Sequence, residues 1–116
     1  MQYRLMIYGD ESMWGEMTKE QQEQGAAAYM VYTEALKAAG ALAGSNRLQP
    51  SATATTVRPG ANGKTQVMDG PFADSKEQLG GYYLINVADL DAVPGWAAKC
   101  PAASHGMVEV RAVWGM

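Results

Sequence analysis

The chain has 116 residues, 47% of them hydrophobic, with 9 Lys+Arg against 12 Asp+Glu, one His and one Cys. That length suits a single domain over residues 1–116, with one modest core. The net charge of −3 offers nucleic acid no concentration of Lys/Arg, one cysteine closes no internal disulfide, and no apolar run approaches the ~20 residues that cross a bilayer. The opening Met1–Tyr8 reads as a strand, because its apolar stretch is too short for a signal peptide and no small-residue cleavage site follows. The expectation is a soluble, reduced, cytoplasmic protein.

Residues 3–9 carry Tyr, Leu, Met, Ile and Tyr in an extended-type pattern closed by Gly9, which predicts a first strand. Asp10 to Met17 reads as a loop. Thr18 with Gln21 three residues on is a capping-box pattern, and Ala26, Tyr29, Tyr32 or Thr33, and Leu36 follow at helical spacing. A long helix over about 18–39 is expected, stopped by Gly40.

The middle of the chain is strand and turn. Residues 41–48 suit a short strand, ended by Pro50. Thr- and Val-rich residues 52–58 match 64–68 across Pro59-Gly60-Ala61-Asn62-Gly63, a good hairpin signal. Asp74 with Glu77 suggests a helical turn at about 75–79, and Gly80-Gly81 opens a strand over 82–87. A short helix over about 94–99, with Pro94 in its first turn, and a strand over 107–114 complete the order. Split β-α-β units of this kind give an α+β fold, a ferredoxin-like antiparallel sheet with both helices on one face.

At Asp69-Gly70-Pro71-Phe72, followed by Lys76-Glu77-Gln78-Leu79-Gly80-Gly81-Tyr82-Tyr83-Leu84, the chain resembles the YCII-related family, in its subgroup with the D-G-P-F motif. Tyr8-Gly9-Asp10, Thr53–Val57 and Val108-Glu109-Val110-Arg111 extend the likeness over nearly the whole chain. The resemblance implies a domain that forms a homodimer through its sheet, a dimeric α+β barrel. It also implies a setting near extracytoplasmic-function sigma factors. One group of relatives carries out dehydrochlorination of a chlorinated hydroquinone, and a His/Asp pair is proposed as catalytic in another branch, with its histidine in the first helix. The helix expected here holds no histidine, so that pair does not carry over.

Parity separates the sheet faces. Tyr3, Leu5 and Ile7 share one face of the first strand; Val108, Val110, Ala112 and Trp114 share one face of the last. These apolar faces should lie under the helices. The opposite face gathers Arg4, Tyr8, Tyr82, Asn86, Glu109 and Arg111 among Met6, Leu84 and Val113. Residues two apart stand about 6.5–7 Å apart on one face, so Glu109 and Arg111 could address one small ligand; the alternative is cross-sheet ion pairs covered by a second subunit.

Asp69 has two readings: part of a structural turn, with Phe72 anchored in the core, or a general base at a pocket mouth. Lys76, at the start of the expected helical turn, could meet an anion. His105 sits in a loop, either solvated or acting as an acid-base group. No cluster has metal-ligand spacing, and Gly80-Gly81 is no dinucleotide fingerprint, so neither metal nor cofactor is expected. One functional expectation is a cofactor-independent enzyme working by proton transfer, with Asp69, Glu109 and His105 catalytic. Tyr8, Arg111, Arg4, Tyr82 and Lys76 would bind a small anionic or aromatic ligand on the open sheet face. The alternative is a non-catalytic ligand-binding or regulatory partner of an extracytoplasmic-function sigma factor.

Overall fold

The computed structural model describes residues 1–115. Strand β1 (Gln2–Gly9) leads into a short helix α1 (Glu11–Glu16) and a long helix α2 (Lys19–Ala38). Then come β2 (Leu42–Arg47), β3 (Thr55–Pro59), β4 (Thr65–Asp69), β5 (Gln78–Asn86), helix α3 (Val93–Lys99) and β6 (Met107–Ala112). The main sheet has four antiparallel strands in the order β2-β5-β1-β6. Strands β3 and β4 pair only with each other, as a separate two-stranded ribbon. The architecture is α+β.

Helix α2 starts where its capping chemistry requires. The Thr18 hydroxyl accepts from the Gln21 N–H at 3.1 Å, and the Gln21 side chain accepts from the Thr18 N–H at 2.9 Å. Its inward stripe runs through Gln22, Gly25, Tyr29, Tyr32, Thr33 and Leu36, and Gly40 at φ +68 ends it in the left-handed conformation.

The core lies between the helices and one sheet face, where Tyr3, Leu5, Tyr83 and Ile85 meet Tyr32, Leu36, Val93 and Cys100. Tyr32 donates to the Trp96 carbonyl at 2.7 Å, and the hydroxyls of Thr33 and Tyr83 are 2.8 Å apart. These bonds tie the two helices and the sheet together, with no buried side-chain N or O atom unpaired among the described residues.

Four sequence expectations need correction. Residues 10–17 are not wholly loop: the Asp10 carboxylate accepts from the Ser12 N–H at 3.0 Å and caps α1. Residues 75–79 form no helical turn. Gln78 pairs with Gly9 in the β1–β5 ladder, while its side chain donates to the Ser75 carbonyl and accepts from the Glu11 N–H. The strand therefore claims the backbone that a helical turn would need.

Phe72 is not a core anchor but 81% exposed. Gly70, at φ +96, donates to the Ala54 carbonyl at 2.7 Å and accepts from the Thr56 hydroxyl at 2.7 Å, which fixes the chain direction before Phe72 is reached. Trp114 lies past the end of β6 and is 90% exposed, not under the helices.

Candidate functional site

The register confirms the division of faces. On the open face Asn46, Tyr82, Met6 and Glu109 form one cross-strand row, and Gly44, Leu84, Arg4 and Arg111 form the next. Arg4 stacks over the Tyr82 ring at 4.5 Å, and Asn46 donates to the Tyr82 hydroxyl at 2.9 Å. Arg4 and Arg111 face each other directly, two like charges with no carboxylate between them. Among the described residues the single ion pair is Lys37–Glu34, so the chain forms no internal Glu109–Arg111 or cross-sheet pair. This face is flat. It offers an anion two guanidinium groups but does not enclose one.

Tyr8 and Glu109 border a broad hollow of about 1260 Å³ beside the base of the ribbon, with Pro50, Ala54, Leu79 and Met107. Its ionisable lining is Glu77, Glu109 and the Tyr8 phenol, so it brings no cation toward an anionic ligand. Asp69 and Lys76 border neither hollow; both are exposed, and Asp69 accepts no side-chain hydrogen bond among the described residues. The expected constellation is therefore split: Arg4, Tyr82 and Arg111 on the open face, Tyr8 and Glu109 at the broad hollow, Asp69 at the end of the ribbon with Lys76 on the loop after it, and His105 at a second hollow.

The more concentrated chemistry is on the other side of the sheet. A crevice of about 470 Å³ runs under the N-terminal half of α2. Ile7, Gly81, Gly25, Tyr29 and Trp14 line it, with Arg47 and His105, both exposed, at its edge. Gly81 hollows the floor and is required there, because a Cβ would sit 2.8 Å from the Asn46 carbonyl oxygen. Gly25 lies against the Trp14 ring, where even a Cβ would make an ordinary contact, at 3.6 Å. The Trp14 face in turn carries the Arg47 guanidinium at 4.5 Å.

His105 is brought to this rim by the short turn Pro101–Ser104, whose Ala102 carbonyl accepts from the Gly106 N–H at 2.7 Å. Only glycine fits at 106, since a Cβ would press into the Tyr8 carbonyl. The broken registers of β1 and β2 against β5, at Ile7/Tyr8 and Leu42/Gly44, lie on this same sheet.

Ionisation divides the crevice's groups by role. Glu11 is committed: its two oxygens accept from the Ser51 N–H and hydroxyl, each at 2.7 Å. Asp10 is held below its ordinary carboxylate range by the Ser12 hydroxyl and N–H. Burial pushes the Tyr29 phenol up to about 12, with Arg47 pulling weakly the other way, so it is a neutral donor at physiological pH. What remains uncommitted is one imidazole, one guanidinium and one phenol. Among the described residues no three His, Cys, Asp or Glu side chains are grouped to hold a metal ion.

Comparison with known proteins adds to this geometry. The YCII-related domain matches residues 1–116. The chain belongs to the YCII-related family. It is 41% identical over 113 residues to an uncharacterized protein of Rhizobium meliloti (strain 1021), covering 96% of this chain and 90% of that protein. Its fold is similar to that of 5-chloro-2-hydroxyhydroquinone dehydrochlorinase from Burkholderia phenoliruptrix AC1100, solved in complex with 2,5-dihydroxybenzoquinone. That match has a TM-score of 0.57 at 14% identity and covers 98% of this chain and 94% of the other, a likeness of fold.

Within this YCII-related chain, helix α2 contains no histidine, so the imidazole at the crevice comes from the loop before β6. Arg47, Trp14 and Tyr29 were not among the residues the sequence suggested. One signal was legible: two glycines inside a strand mark a close backbone approach or a bulge. No helix among the described residues is long and apolar enough to cross a membrane.

Proposed function

We propose that this YCII-related protein is a cofactor-independent, cytoplasmic enzyme that moves a proton on a small anionic aromatic molecule, and that the reaction takes place in the crevice under α2. The observation carrying this reading is the Arg47 guanidinium stacked on Trp14 in a hollow that also presents His105 and a neutral Tyr29. Arg47 sets a plane and a positive charge against which a flat anion can lie. His105 takes the proton from a substrate O–H or C–H bond. The electron pair moves onto a ring oxygen, where the Tyr29 hydroxyl donates a hydrogen bond to the growing charge. The imidazolium then returns its proton to the product or to water.

Support comes from the fold shared with a dehydrochlorinase that holds a hydroxylated quinone. We assign the chain to the D-G-P-F subgroup on Asp69-Gly70-Pro71-Phe72. Its sheet is ferredoxin-like, and two copies close into a dimeric α+β barrel through the open face, because Met6, Leu84 and Val113 make that face too apolar for water.

The test is titration with 2,5-dihydroxybenzoquinone, followed by tryptophan fluorescence quenching, with Trp14→Phe separating Trp14 from Trp96 and Trp114. Arg47→Met should weaken binding at least tenfold, while His105→Gln keeps binding and loses turnover. Unchanged affinity in the Arg47→Met protein would remove the crevice from the assignment.

A further inference from the structure

The ribbon β3–β4 is the least explained part of the molecule. Its strands pair with each other and not with the main sheet. By strand parity, Val57, Val67 and Asp69 share one of its faces, with Thr55 opposite Asp69 and Val57 opposite Val67. Val57 is 61% and Val67 67% exposed. Two facing valines in water on a projecting ribbon are an incomplete surface, and the open sheet face presents the complementary one.

There Leu84, Arg4 and Arg111 stand side by side in one cross-strand row, the two arginines opposite each other with no acid between them. Like charges directly opposed across a strand pair weaken it unless an anion sits between them.

We propose that, in a dimer of this chain, the ribbon of one protomer lies across the partner's open sheet face. Val67 covers the partner's Leu84, and Asp69 inserts between the partner's Arg4 and Arg111. The spacings agree. Residues two apart on a strand are about 6.5–7 Å apart on one face, and neighbouring strands lie about 4.8 Å apart. The midpoint between Arg4 and Arg111 is therefore about 7 Å from Leu84 along the row. A ribbon crossing the sheet strands at a steep angle would set Val67 and Asp69 on those two points at once.

The contact explains three features together: exposed valines, a carboxylate without a hydrogen-bond partner, and two arginines without a counter-charge. Its chemistry is a charge-assisted carboxylate–guanidinium bond with an apolar flank. The inference rests on the sheet-face dimer proposed above and adds the ribbon to it.

Sedimentation equilibrium across a range of micromolar concentrations provides the test. Asp69→Arg should raise the dimer dissociation constant at least tenfold, and Asp69→Arg combined with Arg111→Glu should recover most of the loss. Asp69→Asn, which keeps the shape, should fall in between. Far-UV circular-dichroism spectra of all variants should match the unmodified protein, since the Asp69 side chain is exposed, and melting points should fall only as far as the weakened dimer accounts for. As a second measurement, Asp69→Cys mixed with Arg111→Cys should form an intermolecular disulfide that neither variant forms alone. A monomeric unmodified protein would overturn the sheet-face dimer and the ribbon contact alike. A dimer indifferent to Asp69→Arg would overturn the ribbon contact alone, as would a dimer whose Arg4 and Arg111 instead bind a small anion.

Discussion

The two faces of the β2-β5-β1-β6 sheet have been built for different work. On the helix side, Tyr3, Leu5, Tyr83 and Ile85 find apolar neighbours within the chain, and Tyr32–Trp96 and Thr33–Tyr83 hydrogen bonds tie off the core hydroxyls, leaving only the crevice groups uncommitted. On the open side, Arg4, Glu109 and Arg111 remain exposed and unpaired beside half-buried Met6 and Leu84. A face completed internally specifies the fold. A face left with apolar groups and unmatched charges is the one on which the proposed second copy would lie.

The largest effect should come from breaking this distinction on the completed side. Ile85 is fully buried between β1, β2 and the helices. Ile85→Ala should cost about 2–5 kcal/mol, because the site cannot collapse around the lost methylenes, a large share of the ~5–15 kcal/mol a domain has. Its neighbour in sequence, Leu84, points to the other face. Leu84→Ala should lower the melting point less in dilute solution and weaken self-association more. Equal losses in the thermal melts of the two variants at low concentration would mean that the faces do not differ in the way described.

How much of this was legible beforehand depends on the range of the interaction. The Thr18–Gln21 capping box, the hairpin around Asn62-Gly63 and the alternation of β1 and β6 are local signals, and each appears in the structure at its expected place. Residues 75–79 went the other way. The Asp74–Glu77 pattern had a helical propensity, but Gln78 is claimed by Gly9, nearly seventy positions earlier in the chain. Pro71 and the Asp74–Glu77 pattern restrict the turn and point Phe72 to the core, whereas the Gly70 hydrogen bonds to Ala54 and Thr56 decide its direction.

The crevice could not be read at all from spacing. Trp14, Arg47 and His105 come from three separate segments and border one crevice only after β1 has paired with β5 and β6, and β2 with β5. The open-face residues were easier because parity alone gathers them.

Alkaline titration sharpens the comparison by acting on the helix side only. The phenols of Tyr29, Tyr32 and Tyr83 are all raised chiefly by burial, Tyr29 to about 12. In the unfolded chain they titrate near 10. A group whose folded value is raised contributes stability that is complete below the unfolded value and is lost as pH rises through the folded one. Stability should therefore begin to decline near pH 9, where the unfolded chain's Cys100 thiol ionises and the buried one resists, and fall further between about 10 and about 12 as Tyr29 is forced to ionise. In Tyr29→Phe the decline should be shallower. A melting temperature flat to pH 12, or identical profiles for the two proteins, would show that these phenols are not shielded as described.

The smallest expected effect is the most selective. Helix α2 fully buries only Tyr32 and Leu36, both in its C-terminal half; the N-terminal half, with Gly25 and Tyr29, forms the roof of the crevice. That half depends on its start. Thr18→Ala removes one of the two capping-box bonds and leaves the Gln21 N–H without its side-chain acceptor, at a cost of about 1 kcal/mol. The melting point should move by only a few degrees. The loss should be local, however, because the first turn of α2 has little tertiary packing to hold it. Amide exchange in residues 19–25 should accelerate, and ligand affinity at the crevice should fall with it, while self-association through the opposite face stays unchanged. If dimerisation fell in step with affinity, the two faces would be coupled through the sheet, and the separation between a catalytic side and an assembly side would have to be given up.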